Sequence, residues 1–119
     1  MSETPVARVV DPEDAKIVTL ARATRARNGA EEGAAVRDET GRTYTASTVA
    51  LPSLGLSALR TAVAMAVAGG AQGLEAAALV GDAEHPTEAD LAAVRDLGGA
   101  DTPILVAGPD AVVRAIVTV

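Results

Sequence analysis

The residues best equipped for chemistry gather between positions 82 and 90. Asp82, Glu84, Glu88 and Asp90 are carboxylates, and His85 is the single imidazole of the chain. Oxygen donors of this kind can hold Mg²⁺. The same acids also stand where a helix begins, and there they complement the positive end of the helix dipole, which is the preferred reading. A His/Cys metal site fails for want of donors, because the chain has no cysteine. His85 could serve as the base of a Ser–His–Asp set only if a serine sat on a strained strand-to-helix elbow. Neither Ser47, Ser53 nor Ser57 lies in such a pattern. His85 precedes Pro86 in a loop, which favours an exposed imidazole over a catalytic one. Gly69-Gly70-Ala71-Gln72-Gly73 looks like a phosphate loop but follows a helix instead of opening one, so its amides do not gather at a helix N-terminus. Arg22, Arg25 and Arg27 form a cationic cluster, read as a solvated helix end.

Composition narrows the classes further. The chain has 119 residues, enough for one domain with its own core. The net charge of −6 argues against a general nucleic-acid binder, which needs a basic face. Hydrophobic residues make up 49% of the chain but aromatic ones only 1%, so the core must be built from Ala, Val, Leu and Ile. Assembly with other chains is one way for such a core to bury more surface. Without cysteine, disulfides and thiolate nucleophiles are excluded. The first residues lack the basic start and apolar core of a signal peptide, and no apolar run approaches the roughly 18 residues of a membrane span. A cytoplasmic, membrane-free protein is expected. Abundant Ala, Gly, Val and Arg with one lysine hints at a GC-rich bacterial genome.

The elements that would position any site can be taken in order. Residues 1–10 are expected to be a flexible tail, and 11–119 a single domain. Asp11-Pro12-Glu13-Asp14 opens a helix through a cap, a proline in the first turn and two acids, and Gly29 closes it. Gly33–Arg37 and Arg42–Val49 flank a short Gly-containing segment and form a β-hairpin. Leu56–Gly70 is a helix apolar on nearly all sides, which must be buried or pack against another chain. Leu74–Val80 reads as a buried central strand between Gly73 and Gly81. A helix starts in His85–Asp90 and runs to about Leu97. Thr102–Ala107 and Val112–Val119 are strands joined through Gly108-Pro109-Asp110, a link too short for a crossover, so they must be antiparallel neighbours. The order is α-β-β-α-β-α-β-β.

Read with particular residues, this order resembles the cytidine deaminase family over about Asp11 to Val119. Gly33-Ala34-Ala35-Val36 and Gly41-Arg42-Thr43-Tyr44-Thr45 look like the family's first hairpin. Leu56-Ser57-Ala58-Leu59-Arg60 looks like the start of its zinc helix, where the pattern is Cys-Ala-Glu-Arg. Gly81-Asp82, Pro86 and Asp101-Thr102-Pro103-Ile104-Leu105 fit the part around its Pro-Cys-x-x-Cys. The resemblance implies a three-layer α-β-α sandwich around a five-stranded mixed sheet, last two strands antiparallel.

The chemistry does not carry over. A zinc deaminase needs three Cys or His ligands and a glutamate that shuttles protons. The ligand positions fall on Ser57, Thr87 and Asp90, and the glutamate position on Leu59. The family's nucleoside-binding Asn-x-Glu falls on Thr48-Val49-Ala50, which removes those contacts at Thr48 and Ala50. Thr87-Glu88-Ala89-Asp90 instead has the form of a capping box. The expectation is therefore a zinc-less, non-catalytic relative with no cofactor. The resemblance implies a homo-oligomer, dimer or tetramer, acting as a scaffold or interaction domain. The alternative is a binder of a nucleoside-like small molecule in the degenerate pocket, and the third reading is an active hydrolase.

Overall fold

The computed structural model describes residues 2–4 and 10–118. Its elements are β1 (Ser2–Thr4), α1 (Pro12–Asn28), β2 (Gly33–Asp38), β3 (Thr43–Ser47), β4 (Val49–Leu51), β5 (Leu54–Leu56), α2 (Ala58–Ala68), β6 (Leu74–Val80), α3 (Glu88–Gly98), β7 (Pro103–Ala107) and β8 (Val113–Thr118). The main sheet runs β1-β8-β7-β6-β2-β3. Among the described residues only β6 and β7 pair in parallel, because α3 and its loops provide the crossover between them. The short turn after Ala107 makes β7 and β8 antiparallel, as the link length requires.

Alternation along the strands assigns residues to two helical layers. Ala35, Ala76, Ala78, Val80 and Leu105 face α1, which buries Ile17, Val18 and Ala21 against them. Ala34, Val36, Ala77, Ile104 and Val106 face the other way, where Leu59, Ala62, Leu91 and Val94 of α2 and α3 cover them. This is the expected three-layer sandwich around a five-stranded mixed sheet, with β1 added at the edge. Ser2–Thr4 pairs antiparallel with β8, so this part of the expected tail is a strand. The rest of that expectation, at Met1 and residues 5–9, lies outside the described residues, as does Val119.

Local chemistry explains the element ends. The Asp11 carboxylate accepts from the Glu13 N–H at 2.8 Å to start α1, and Gly29, at φ 59°, stops it in the left-handed region. The β2–β3 turn is organised by Asp38, a buried carboxylate. Burial works against its charge, but donors from Thr40, the Arg42 N–H and the Tyr44 hydroxyl hold its carboxyl below the ordinary range. Gly33 lets α1 approach β2: a Cβ there would overlap the Ala21 carbonyl oxygen.

The central helix is half buried and half open. Ala58, Ala62 and Ala66, spaced by four, lie fully buried on the sheet with Leu59 and Val63 beside them. Its other face leaves Met65 44% and Val67 53% exposed. Just before it, β4 and β5 form a separate two-stranded hairpin that the sequence reading does not anticipate. Leu51 and Leu54 at its tip are 61% and 49% exposed.

Candidate functional site

α2 and α3 begin at the same place. Ser57 is the N-cap of α2, and its hydroxyl oxygen accepts from the Arg60 N–H at 3.2 Å. The same hydroxyl donates to Asp90 Oδ1 at 2.5 Å. Thr87 is the N-cap of α3, and its Oγ1 accepts from the Asp90 N–H at 3.1 Å. Asp90 Oδ2 in turn accepts from the Thr87 N–H at 3.2 Å, which completes the capping box. Asp90 is 1% exposed. Its carboxylate thus sits between two helix N-termini, where backbone dipoles favour a negative charge.

Ser57, Thr87 and Asp90 form one closed network across up to 33 positions of sequence. Each hydroxyl and each carboxylate oxygen already has a partner inside it. An ion binding these oxygens would have to displace the caps of two helices. The donor set is also wrong for zinc, which takes thiolate, imidazole and carboxylate ligands: here two of three donors are neutral hydroxyls. Among the described residues, no group of three or more His, Cys, Asp or Glu side chains could hold a metal ion. The residues present do not fit a zinc centre. Leu59 is 0% exposed and contributes to the core under α2, with no proton to give.

The other expected positions fall as follows. Thr48 Oγ1 accepts from the Glu32 N–H at 3.1 Å, and the Thr48 N–H donates to the Glu32 carbonyl at 3.2 Å. Ala50 is exposed on β4 and makes no part of the Ser57–Thr87–Asp90 network. His85 is exposed in the loop before α3. Arg22 and Arg25 are spent on backbone carbonyls, of Pro109 at 3.3 Å and Glu31 at 3.0 Å.

One residue of the site is missed by sequence reasoning. Glu32 is half-buried at the entry to β2, and burial, the Asp90 charge and the Glu31 charge push its carboxyl above the ordinary value. The available signal is a charged residue directly before the strand run Gly33–Val36, where an apolar one would suit the approach to a core strand.

The comparisons with known proteins agree with this architecture. A family model described as cytidine deaminase-like matches residues 10–111. The chain belongs to the cytidine deaminase-like family. A cytidine deaminase from Burkholderia pseudomallei superposes with a TM-score of 0.76 at 23% identity, over 87% of this chain and 90% of that one. A cytidine deaminase from Mycobacterium leprae gives 0.69 at 23% identity, over the same shares. One from Mycobacterium tuberculosis gives 0.69 at 25% identity, over 79% of this chain and 85% of the other. Among curated proteins there is no match. Within the cytidine deaminase-like fold, this chain has hydrogen-bonded helix caps where zinc ligands are expected from the resemblance.

Proposed function

We propose that this chain is a non-catalytic cytidine deaminase-like protein that acts by assembly, as an oligomeric scaffold or interaction domain of the cytoplasm. The observation that carries the reading is the closed network of Ser57, Thr87 and Asp90. Those side chains cap and clamp α2 and α3, so their oxygens are engaged with one another and with helix amides. The exposed Met65 and Val67 of α2 and the exposed Leu51 and Leu54 of the β4–β5 hairpin support assembly, as large apolar side chains left open to water. No helix among the described residues is long and apolar enough to cross a membrane. The test is ammonia release from cytidine with zinc supplied, together with light scattering on the eluting protein. The expected result is no turnover and a mass above that of one chain. Turnover, or a strict monomer at high concentration, would overturn the reading.

A second reading is favoured by Glu32. Glu32 is half-buried and tied through its backbone to Thr48, and burial, with the Asp90 and Glu31 charges, pushes its carboxyl up; perturbed carboxyls of this kind cluster at functional sites. A nucleoside-like small molecule binding next to Thr48 and Glu32 would raise the melting temperature, because it binds only the folded state. A thermal-shift panel of nucleosides and bases tests this, and no shift across the panel removes it.

A further inference from the structure

Open α/β sheets take ligands in the crevice beyond the carboxyl ends of parallel strands, which here means beyond β6 and β7. A cavity of about 240 Å³ at that end is lined by Glu84, His85, Arg114 and Ala115. Glu84 and His85 follow the end of β6, and Arg114 stands at the start of β8, beside the turn that ends β7. Ser57, Thr87 and Asp90 do not line it. The space holds about eight water-sized groups and falls below the range of drug-sized ligands, so it suits a small molecule.

Arg114 builds one side of the cavity. Its Nη2 donates to the carbonyls of Gly81 at 2.8 Å and Ala83 at 3.1 Å. To reach them from β8 it crosses the end of β7 over Gly108, where an added Cβ would come 3.5 Å from the Arg114 Cζ. Among the described residues, Nε and Nη1 have no acceptor, and Arg114 makes no ion pair. Glu84 lies one peptide beyond the Ala83 carbonyl that Arg114 holds. Its side chain is exposed and, among the described residues, has no hydrogen-bond or ion-pair partner. Two opposite charges thus line one cavity without pairing, and both have hydrogen-bonding capacity left over.

The surroundings are fixed in place. The Gly81 N–H donates to the Ala107 carbonyl at 3.1 Å, which ties the loop after β6 to the end of β7. The turn from Gly108 to Val112 is closed by the Gly108 N–H on the Val112 carbonyl at 3.2 Å and by the Val112 N–H on Asp110 Oδ1 at 3.0 Å. Arg22 of α1 holds the Pro109 carbonyl at 3.3 Å. Within this turn Ala111 has φ 66°, left-handed backbone strain of a kind that gathers at ligand clamps. A site held this firmly loses little freedom when it binds.

Charge selects the class of ligand. The open N–H groups of Arg114 suit an oxyanion. Asp110 is close to the same guanidinium: the point a Gly108 Cβ would occupy is 3.1 Å from Asp110 Oδ1 and 3.5 Å from Arg114 Cζ. Together with Glu84 it would repel a phosphate, which brings only negative charge. A molecule with one carboxylate and one ammonium satisfies both sides.

We propose that this cavity binds a small zwitterion of the α-amino acid class, with its carboxylate on the open N–H groups of Arg114 and its ammonium on the Glu84 carboxylate. The inference is independent of the assembly reading and of any ligand beside Glu32.

The test titrates the ¹⁵N-labelled full chain with each proteinogenic L-amino acid, into tens of millimolar, and follows the amide signals by NMR. At least one amino acid is expected to give saturable shifts centred on Glu84, Arg114 and Ala115. Its amide, which lacks the carboxylate, and its N-acetyl form, which lacks the ammonium, should each bind roughly tenfold more weakly or worse. Glu84→Gln should weaken the free amino acid by a similar factor and leave the N-acetyl form no weaker. Arg114→Gln would also release the Gly81 and Ala83 carbonyls, so Glu84→Gln is the variant that decides, and its spectrum reports that it folds. No saturable shift with any amino acid, shifts centred elsewhere, analogues that bind as tightly as the parent, or an unchanged affinity in Glu84→Gln would each overturn the proposal.

Discussion

Replacing Ser57 by alanine removes two interactions at once. The first is the cap on α2, since Ser57 Oγ accepts from the Arg60 N–H. Loss of such a cap costs about 1 kcal/mol. The second is the hydrogen bond to the buried Asp90 carboxylate. A hydrogen bond to a charged acceptor contributes about 1.5–3 kcal/mol. Together the loss is roughly 2.5–4 kcal/mol. Unfolding entropy of about 2.1 cal/mol/K per residue gives about 250 cal/mol/K for a chain of 119 residues. One kcal/mol then corresponds to about 4 °C, and Ser57→Ala should lower Tm by roughly 10–16 °C. Far-UV circular dichroism is the suitable probe, because the chain has no tryptophan and one tyrosine. The pairwise part is isolated by a double-mutant cycle with Asp90→Asn, where the expected coupling is about 1–3 kcal/mol. A drop of less than about 2 °C for Ser57→Ala, or no coupling in the cycle, would refute the view that this contact clamps the two helices.

Two further perturbations follow from the same structure. Glu32→Gln should raise Tm at neutral pH: the folded-state carboxyl is raised, so its contribution to stability falls as pH rises from the ordinary carboxyl value through the raised one. The gain should vanish in acid, below the ordinary value, and a gain independent of pH would contradict the assignment. Gly33→Ala should lower Tm by roughly 4–12 °C, from an overpacking cost of about 1–3 kcal/mol, because the new methyl meets the Ala21 carbonyl oxygen and the Arg25 Cβ. An unchanged melt would mean that α1 does not pack as closely on β2 as the structure has it.

Much of this fold is readable from local chemistry. The Asp11-Pro12 start and Gly29 stop mark α1, and Gly108-Pro109-Asp110 forces an antiparallel end to the sheet. β7 is buried on both faces by residues that are all apolar, so its assignment to the two layers follows from topology and not from an apolar–polar alternation. Other features escape sequence reasoning for physical reasons. The β4–β5 hairpin pairs only three residues a side and exposes its leucines, so no burial pattern announces it. Ser2–Thr4 is polar, and only the free edge of β8 makes it a strand. Glu32 gains its meaning from Asp90, 58 positions away, through tertiary packing alone. The central helix is legible as apolar, but not which half stays open: the alanines spaced by four fit the sheet closely, and Met65 and Val67 are left outside. At the site, the capping box is written in Thr87 and Asp90, whereas the Ser57–Asp90 contact that joins two helices across 33 positions is not.

The central claim is that Ser57, Thr87 and Asp90 hold each other in place of a metal. Its most direct test is the zinc content of the purified protein after dialysis against zinc, measured by elemental analysis with and without a chelator wash. The expected result is zinc far below one equivalent per chain and a melting temperature unmoved by the chelator. Stoichiometric zinc that the chelator strips, with a fall in Tm as it leaves, would contradict it.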